Sequence, residues 1–254
     1  MKKKLKNRYI DFSKKTFLIT GSGSGLGKFA SIELSKLGAK LIQIDKKFVN
    51  LKKTEKKINN KDRLVQLDLS NVNLIEDEIK SSKVKKVDGF VHFAGQNVVC
   101  PLKLLSHDSL NESFRINILS AIEIVKNLLK YKKIKNNSSI IFISSIFGIV
   151  GSSGNSGYSA SKSALHGLCK SMSVELSNRK IRVNCIAPGF INTGMLKKIS
   201  NFFDDKYLAN LKKLHPLGLG KPEDISNLVN FLLSDRSRWI TGSIINIDGG
   251  YTAL

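Results

Sequence analysis

Short apolar runs and helical stripes alternate along this chain. Runs at Thr16–Thr20, 40–44, 63–67, 89–93, 139–144, 182–187 and 243–247 are mostly β-branched and apolar on both faces. Such runs predict strands of a parallel sheet that is covered on both sides. Between them, apolar positions recur at helical spacing. Ile118, Ala121, Ile122, Val125 and Leu129 form one stripe, and Leu165, Leu168, Cys169, Met172 and Leu176 form another. Ile225, Leu228, Val229, Leu232 and Leu233 follow Pro222, which suits a helix start because its missing N–H costs nothing there. The alternation predicts an α/β fold over 16–254, a doubly wound parallel sheet of about seven strands with helices on both faces. Ligands of such sheets sit at the carboxyl ends of the strands. Gly21, Asp45, Asp68, Ala94, Ser145 and Pro188 fall at those ends.

Composition narrows the class. The chain has 254 residues, 41% of them hydrophobic, enough for one large domain with a real core. No stretch approaches the ~18 apolar residues of a membrane span, so no membrane insertion is expected. Residues 1–15 begin with a basic run, but Asp11, Ser13, Lys14 and Lys15 interrupt any apolar segment behind it. They read as a short basic extension, and the expected location is cytoplasmic. Cys100, Cys169 and Cys185 have no metal-like spacing and suit reduced thiols; no metal site is expected. The net charge is +22. The lysines are scattered doublets with no interleaved aromatic residues, so they read as solvated faces and not as a specific nucleic-acid track. They would still attract anionic ligands.

The first predicted strand runs into Thr20-Gly-Ser-Gly-Ser-Gly-Leu-Gly27, and a helix follows. Glycines let a backbone turn sharply against a pyrophosphate, and the helix N-terminus offers it N–H groups and positive dipole. The loop residues Gly21, Ser22, Ser24, Gly25, Leu26 and Gly27 are therefore candidates for binding a dinucleotide in a Rossmann-type fold. The common fingerprint is not matched, because Leu26 stands where its third glycine would be; the longer spacing Gly21, Gly25, Gly27 fits. Asp45 ends the second strand, where a carboxylate accepts hydrogen bonds from ribose hydroxyls and repels a 2′-phosphate. That favours NAD, with NADP possible because Lys46 and Lys47 follow at once.

The segment 140–162 carries the candidate chemistry. A strand ends in Ser144-Ser145, and Tyr158-Ser-Ala-Ser-Lys162 opens a helix, with Tyr158 and Lys162 on one face. Reducing a carbonyl takes a hydride to carbon and a proton to oxygen. A free phenol, with pKa about 10, is a poor base near neutrality, and a neighbouring ammonium lowers that value. Tyr158 is then general acid in reduction and general base in oxidation. Ser145 and Tyr158 would contact the substrate oxygen.

The glycine spacing, Asp45, and the order Ser145, Tyr158, Lys162 together resemble the short-chain dehydrogenase/reductase family over 16–251. Its classical branch, close to the 3-oxoacyl-carrier-protein reductases, is the nearest likeness. The resemblance implies Asn117 as a fourth catalytic member, inside a helix and holding a water in a relay to Lys162. It implies Asp68 and Leu69 beside adenine, Ala94 and Gly95 beside the cofactor, and Pro188, Gly189, Ile191 and Thr193 beside the nicotinamide. It also implies a homotetramer or dimer and a lid over 190–215, whose Phe202, Phe203 and Tyr207 line a pocket or anchor the lid. One departure stands out: the family's Asn-Asn-Ala-Gly reads His92-Phe93-Ala94-Gly95 here. His92 reads as structural, able to replace one of the lost hydrogen bonds.

The resulting expectation is an NAD(P)-dependent oxidoreductase of a small-molecule carbonyl or secondary alcohol. The alternative is a cofactor-binding regulator that does no chemistry, motivated by the altered His92-Phe93 segment. Gln96, just past the fourth strand, is a candidate substrate contact. Acyl thioester, sugar and nucleotide-sugar substrates remain open.

Overall fold

A computed structural model describes residues 10–58, 63–81, 85–192, 211 and 213–253. Seven parallel strands form one sheet in the order β3-β2-β1-β4-β5-β6-β7. They are β1 (Thr16–Thr20), β2 (Lys40–Asp45), β3 (Arg63–Gln66), β4 (Val87–His92), β5 (Ile134–Ile143), β6 (Arg182–Pro188) and β7 (Ile244–Ile247). The helices are α1 (Gly25–Lys36), α2 (Phe48–Glu55), α3 (Asn73–Lys80), α4 (His107–Phe114), α5 (Ser120–Lys130), α6 (Ser156–Glu175) and α7 (Pro222–Leu233).

Neighbouring residues of a strand point to opposite faces, and both faces here are buried. Leu18 of β1 joins a core with Phe90, Phe142, Leu165 and Val183 beneath α3, α5 and α6. Its neighbours Phe17 and Ile19 join the opposite core with Val91, Ile141, Ile186 and Val229, covered by α1 and α7. That is why the strands read as unbroken apolar runs. Pro222 stands in the first turn of α7, and the Asp224 carboxylate accepts the Lys221 N–H at 2.7 Å, so the helix starts where the sequence indicates.

One residue before β1 joins the core: Phe12 is buried, meets Phe17 edge-on at 5.0 Å, and donates its N–H to the Leu37 carbonyl at 2.8 Å. The helix expected around Asn117 is found and runs unbroken through α4 and α5, but it contains a π turn, Arg115–Leu119, and Asn117 sits inside that turn. One-turn π segments are frequent at functional sites.

The strand order reverses direction between β1 and β4, which pair directly, Thr20 opposite His92. The loops after these two strands diverge there, opening a crevice at their carboxyl ends.

Candidate functional site

A groove of about 700 Å³ lies along those strand ends, within the usual range for a ligand cleft. Gly21, Ser24, Gly25, Leu26 and Gly27 line one wall, Asp45, Asp68 and Leu69 the far end, and Ala94, Gly95 and Gln96 the floor. Ser145, Tyr158 and Lys162 face Pro188, Gly189 and Ile191 at the other end. Ser22 does not line the groove. It is buried, its hydroxyl 3.4 Å from the Ile44 carbonyl, because Gly21 turns the chain at φ +65° and sends the next side chain inward. Thr193 and the lid residues Phe202, Phe203 and Tyr207 lie outside the described residues.

The glycine loop fits a dinucleotide phosphate. Gly21 has no room for a side chain: a Cβ there would be 2.8 Å from the Ala94 nitrogen. A Cβ on Gly27 would overlap the Gly21 carbonyl oxygen. Gly25 has φ +51° and nothing within 4 Å of a Cβ, so its backbone faces open space in the groove. The Ser24 side chain makes no capping bond, and the first turn of α1 has no acidic residue. The helix N-terminus therefore presents its dipole to the groove. Asp45 is set across the loop by two bonds, accepting the Gly23 N–H and the Lys47 N–H, each at 3.0 Å.

At the other end, Tyr158 in the first turn of α6 and Ser145, which follows β5, line the same stretch of the groove. The Ser145 hydroxyl oxygen accepts the Phe147 N–H at 3.2 Å. Burial raises the Tyr158 phenol above its ordinary value, and the neighbouring Ser145 hydroxyl pulls it part of the way back. This corrects one expectation: burial outweighs any lowering by Lys162. The buried Lys162 Nζ donates to the Ile143 carbonyl at 2.8 Å and lies 5.7 Å from the Tyr158 ring centre. Burial lowers its own pKa to about 8.

Asn117 stands behind the groove floor, and its side-chain amide is taken up by protein groups. Its Oδ1 accepts the Gln96 N–H at 2.7 Å, and its Nδ2 donates to the Gln96 carbonyl at 3.0 Å and to Ser161 Oγ at 2.8 Å. Ser161 in turn donates to the Tyr158 carbonyl at 2.7 Å. Asn117 thus fixes Gln96 and ties it to the Tyr158 helix. A Cβ on Gly95 would lie 3.1 Å from Lys162 Nζ and 3.4 Å from Asn117 Oδ1, so both groups close on that glycine.

His92 is fully buried at the end of β4. Its Nε2 is 3.2 Å from the Ile116 carbonyl, which can only accept, so Nε2 carries the proton and Nδ1 accepts from Thr20 Oγ1 at 2.9 Å. Burial first, then the Lys162 charge, holds its pKa down to about 3, and the ring is neutral. Sequence reasoning missed an aromatic group of which Phe147 and Phe190 line the groove. Phe190 meets Phe147, His215 and Tyr251 with ring centres 5.6, 5.6 and 6.3 Å apart. The four are far apart in sequence and share no periodicity. Among the described residues no group of three or more His, Cys, Asp or Glu could hold a metal, and no helix is long and apolar enough to cross a membrane.

The family model described as enoyl-(acyl carrier protein) reductase matches residues 21–252. The 3-oxoacyl-(acyl-carrier-protein) reductase FabG of Thermotoga maritima is 33% identical over 243 residues, 93% of this chain and 97% of that protein. Among solved structures, a 4-hydroxyisoleucine dehydrogenase complexed with NADH is 29% identical with a TM-score of 0.86, covering 95% of this chain and all of that one. A short chain dehydrogenase family protein from Francisella tularensis is 28% identical with a TM-score of 0.83, covering 94% and 99%. Relatives named as reductases and dehydrogenases do not favour the regulator reading. A glycine cradle at a helix start, a Ser and a Tyr beside a buried lysine in one groove, and this likeness over nearly the whole length agree: the chain belongs to the short-chain dehydrogenase/reductase family and is an NAD(P)-dependent oxidoreductase acting on carbonyl and CH–OH groups.

Proposed function

We propose that the chain is a cytoplasmic, homo-oligomeric enzyme that reduces 3-oxoacyl thioesters with NADH, over residues 16–254 as one catalytic domain. The observation that carries the site assignment is that Ser145, Tyr158 and the buried Lys162 line the end of the groove opposite Asp45, with Lys162 Nζ 5.7 Å from the Tyr158 ring centre. Tyr158 donates its proton to the substrate oxygen, and Ser145 holds that oxygen by a second bond. Lys162, anchored on the Ile143 carbonyl, holds its ammonium beneath the Tyr158 ring. When bound, the nicotinamide supplies the hydride and, once oxidised, positive charge beside the phenol.

Gly21, Ser24, Gly25, Leu26 and Gly27 hold the pyrophosphate, and Asp45 accepts from the adenosine ribose hydroxyls. Asp68 and Leu69 meet adenine; Ala94, Gly95, Pro188, Gly189 and Ile191 flank the nicotinamide end, with Thr193 expected beside them. Gln96, held at its backbone by Asn117, faces the substrate. The thioester class is supported by the name of the Thermotoga relative and by the aromatic wall of Phe147 and Phe190, which suits an uncharged acyl chain. The +22 charge suits an anionic carrier.

The test is turnover of acetoacetyl-CoA followed by nicotinamide absorbance, with NADH and NADPH in parallel, for wild type and Tyr158→Phe. The expected result is turnover with NADH that the variant lowers by at least a hundredfold while NADH still binds. Equal turnover in the variant removes Tyr158 from the reaction. A wild type that reduces other carbonyls but not acetoacetyl-CoA removes the thioester reading.

A further inference from the structure

We propose that His92 is a positioning residue that couples the glycine loop to the Tyr158 helix, so that cofactor affinity and turnover depend on one buried imidazole. The inference rests on the proposed site and adds to it a group that touches neither cofactor nor substrate.

The hydrogen bonds form a continuous path. The Ala94 N–H donates to Thr20 Oγ1 at 3.3 Å, and Thr20 donates to His92 Nδ1 at 2.9 Å. His92 Nε2–H donates to the Ile116 carbonyl at 3.2 Å. Ile116 precedes Asn117 in the π turn, and Asn117 holds both backbone groups of Gln96 and the Ser161 hydroxyl. Ser161 donates to the carbonyl of Tyr158. The strap from His92 to Gln96 is therefore held at its beginning, middle and end, and Phe93, Ala94, Gly95 and Gln96 of that strap line the groove. Two of the three holds come from consecutive residues of the π turn.

Only one protonation state serves. Ile116 offers a carbonyl, so Nε2 must donate. Thr20 Oγ1 already accepts from Ala94, so its hydroxyl proton is free for Nδ1, which must accept. A protonated ring would present a second donor to Thr20 and break the sequence Ala94 to Thr20 to His92. Burial keeps the ring neutral. Phe90 packs 6.0 Å from the imidazole centre and limits its rotation. In a buried chain of this kind each bond polarises the next, and loss of one member leaves its neighbours unpaired. A residue that merely filled space at this position would need the ring's volume and neither nitrogen.

That contrast gives the test. His92→Phe keeps the volume and removes both bonds; His92→Asn restores one donor and one acceptor. NADH affinity is read by fluorescence titration, which needs no substrate, and kcat and KM are read with acetoacetyl-CoA. The expected result for His92→Phe is a Kd for NADH raised about tenfold and a kcat lowered about tenfold, with KM for acetoacetyl-CoA changed less than threefold. His92→Asn should recover at least half of each loss on a logarithmic scale. Thr20→Val cuts the same path from the other side, and combined with His92→Phe it should add less than a threefold further loss in Kd. A His92→Phe variant that melts earlier yet keeps wild-type Kd and kcat overturns the proposal. So does a double variant whose losses multiply. If His92→Phe does not fold, Thr20→Val and His92→Asn decide alone: wild-type values in both overturn it. Failure of wild type to reduce acetoacetyl-CoA bears on the substrate reading and leaves the NADH titrations as the measure of this one.

Discussion

Asn117 closes on the backbone of Gln96 at both ends, its Oδ1 taking the Gln96 N–H at 2.7 Å and its Nδ2 giving to the Gln96 carbonyl at 3.0 Å. The amide does what a neighbouring strand would do for a residue that lies beyond the end of β4. The π turn makes this possible, because it carries Asn117 on a widened stretch of helix facing the floor of the groove. Asn117→Ala should leave both Gln96 groups without partners, at about 1–3 kcal/mol each if they stay buried. The expected outcome is a kcat for acetoacetyl-CoA lowered at least tenfold, with a Kd for NADH within threefold of wild type. Asn117→Asp should fare no better, since a carboxylate accepts from Gln96 N–H but cannot give to its carbonyl. Steady-state kinetics beside fluorescence titration check both; unchanged kcat in either variant shows that Gln96 needs no such hold.

The strands were legible because both faces of this sheet are buried, so that burial wrote unbroken apolar runs. Thr16–Thr20 is found as expected, and the other six strands overlap their expected runs. β5 is the largest departure. It begins at Ile134, five residues before 139, because Lys135, Asn136 and Asn137 are polar, Asn137 has φ +59°, and the β4–β5 register shifts between Val87 and Gly89. That Ser145, Tyr158 and Lys162 share one groove was legible because Ser145 follows a strand end and Tyr158 and Lys162 are four residues apart on one helix face. The π turn was not, since one extra residue in a helix leaves the apolar pattern of Ile116, Ile118 and Ala121 looking helical. Ser22 and Ser24 show the same limit. They are equivalent in a Gly-Ser-Gly-Ser run, and only the backbone turn at Gly21 sends one inward and leaves the other on the groove. The partner of Lys162 is a carbonyl, which no sequence motif records.

Two glycines of the loop should respond differently to alanine. At Gly27 a Cβ would overlap a backbone oxygen that has nowhere to go, so Gly27→Ala should cost the fold itself, by about 2 kcal/mol or more. At Gly25 the Cβ meets nothing, and the cost is the left-handed φ, about 1 kcal/mol. Its methyl group would instead project into the groove. Gly25→Ala should therefore melt close to wild type but bind NADH at least tenfold more weakly. Thermal unfolding and NADH titration on both variants check this; a Gly25→Ala variant that binds NADH normally would remove the loop from the phosphate site.

Asp45 sets the cofactor preference in the proposed reading. Its carboxylate is anchored by the Gly23 and Lys47 N–H groups, so it cannot swing aside for a 2′-phosphate without giving up two charge-assisted bonds. Lys46 and Lys47 flank it on the groove and would favour that phosphate once the carboxylate is gone. Asp45→Ala should shift the ratio of kcat/KM for NADH over NADPH by at least tenfold towards NADPH. The check is both values in wild type and variant. A wild type that already prefers NADPH would show that the two lysines outweigh Asp45.

Lys162 gives the fold a pH dependence whose sign follows from its burial. Its pKa falls from 10.5 in the ordinary state to about 8 in the folded one. Below pH 8 the folded chain carries the full cost of a buried ammonium, softened by the bond to the Ile143 carbonyl. Between pH 8 and 10.5 the unfolded chain holds a proton that the folded chain has released, so unfolding becomes harder as pH rises. Lys162→Met keeps most of the shape and has nothing to titrate. The unfolding free energy of wild type minus that of Lys162→Met should therefore climb by about 2–3 kcal/mol between pH 7 and pH 10.5 and be level below pH 7. Taking the difference cancels the other titrating groups and any constant loss from the missing Ile143 bond. Denaturant unfolding of both proteins across that range measures it, and a difference that stays flat to pH 10.5 would mean that Lys162 keeps an ordinary pKa in the folded chain.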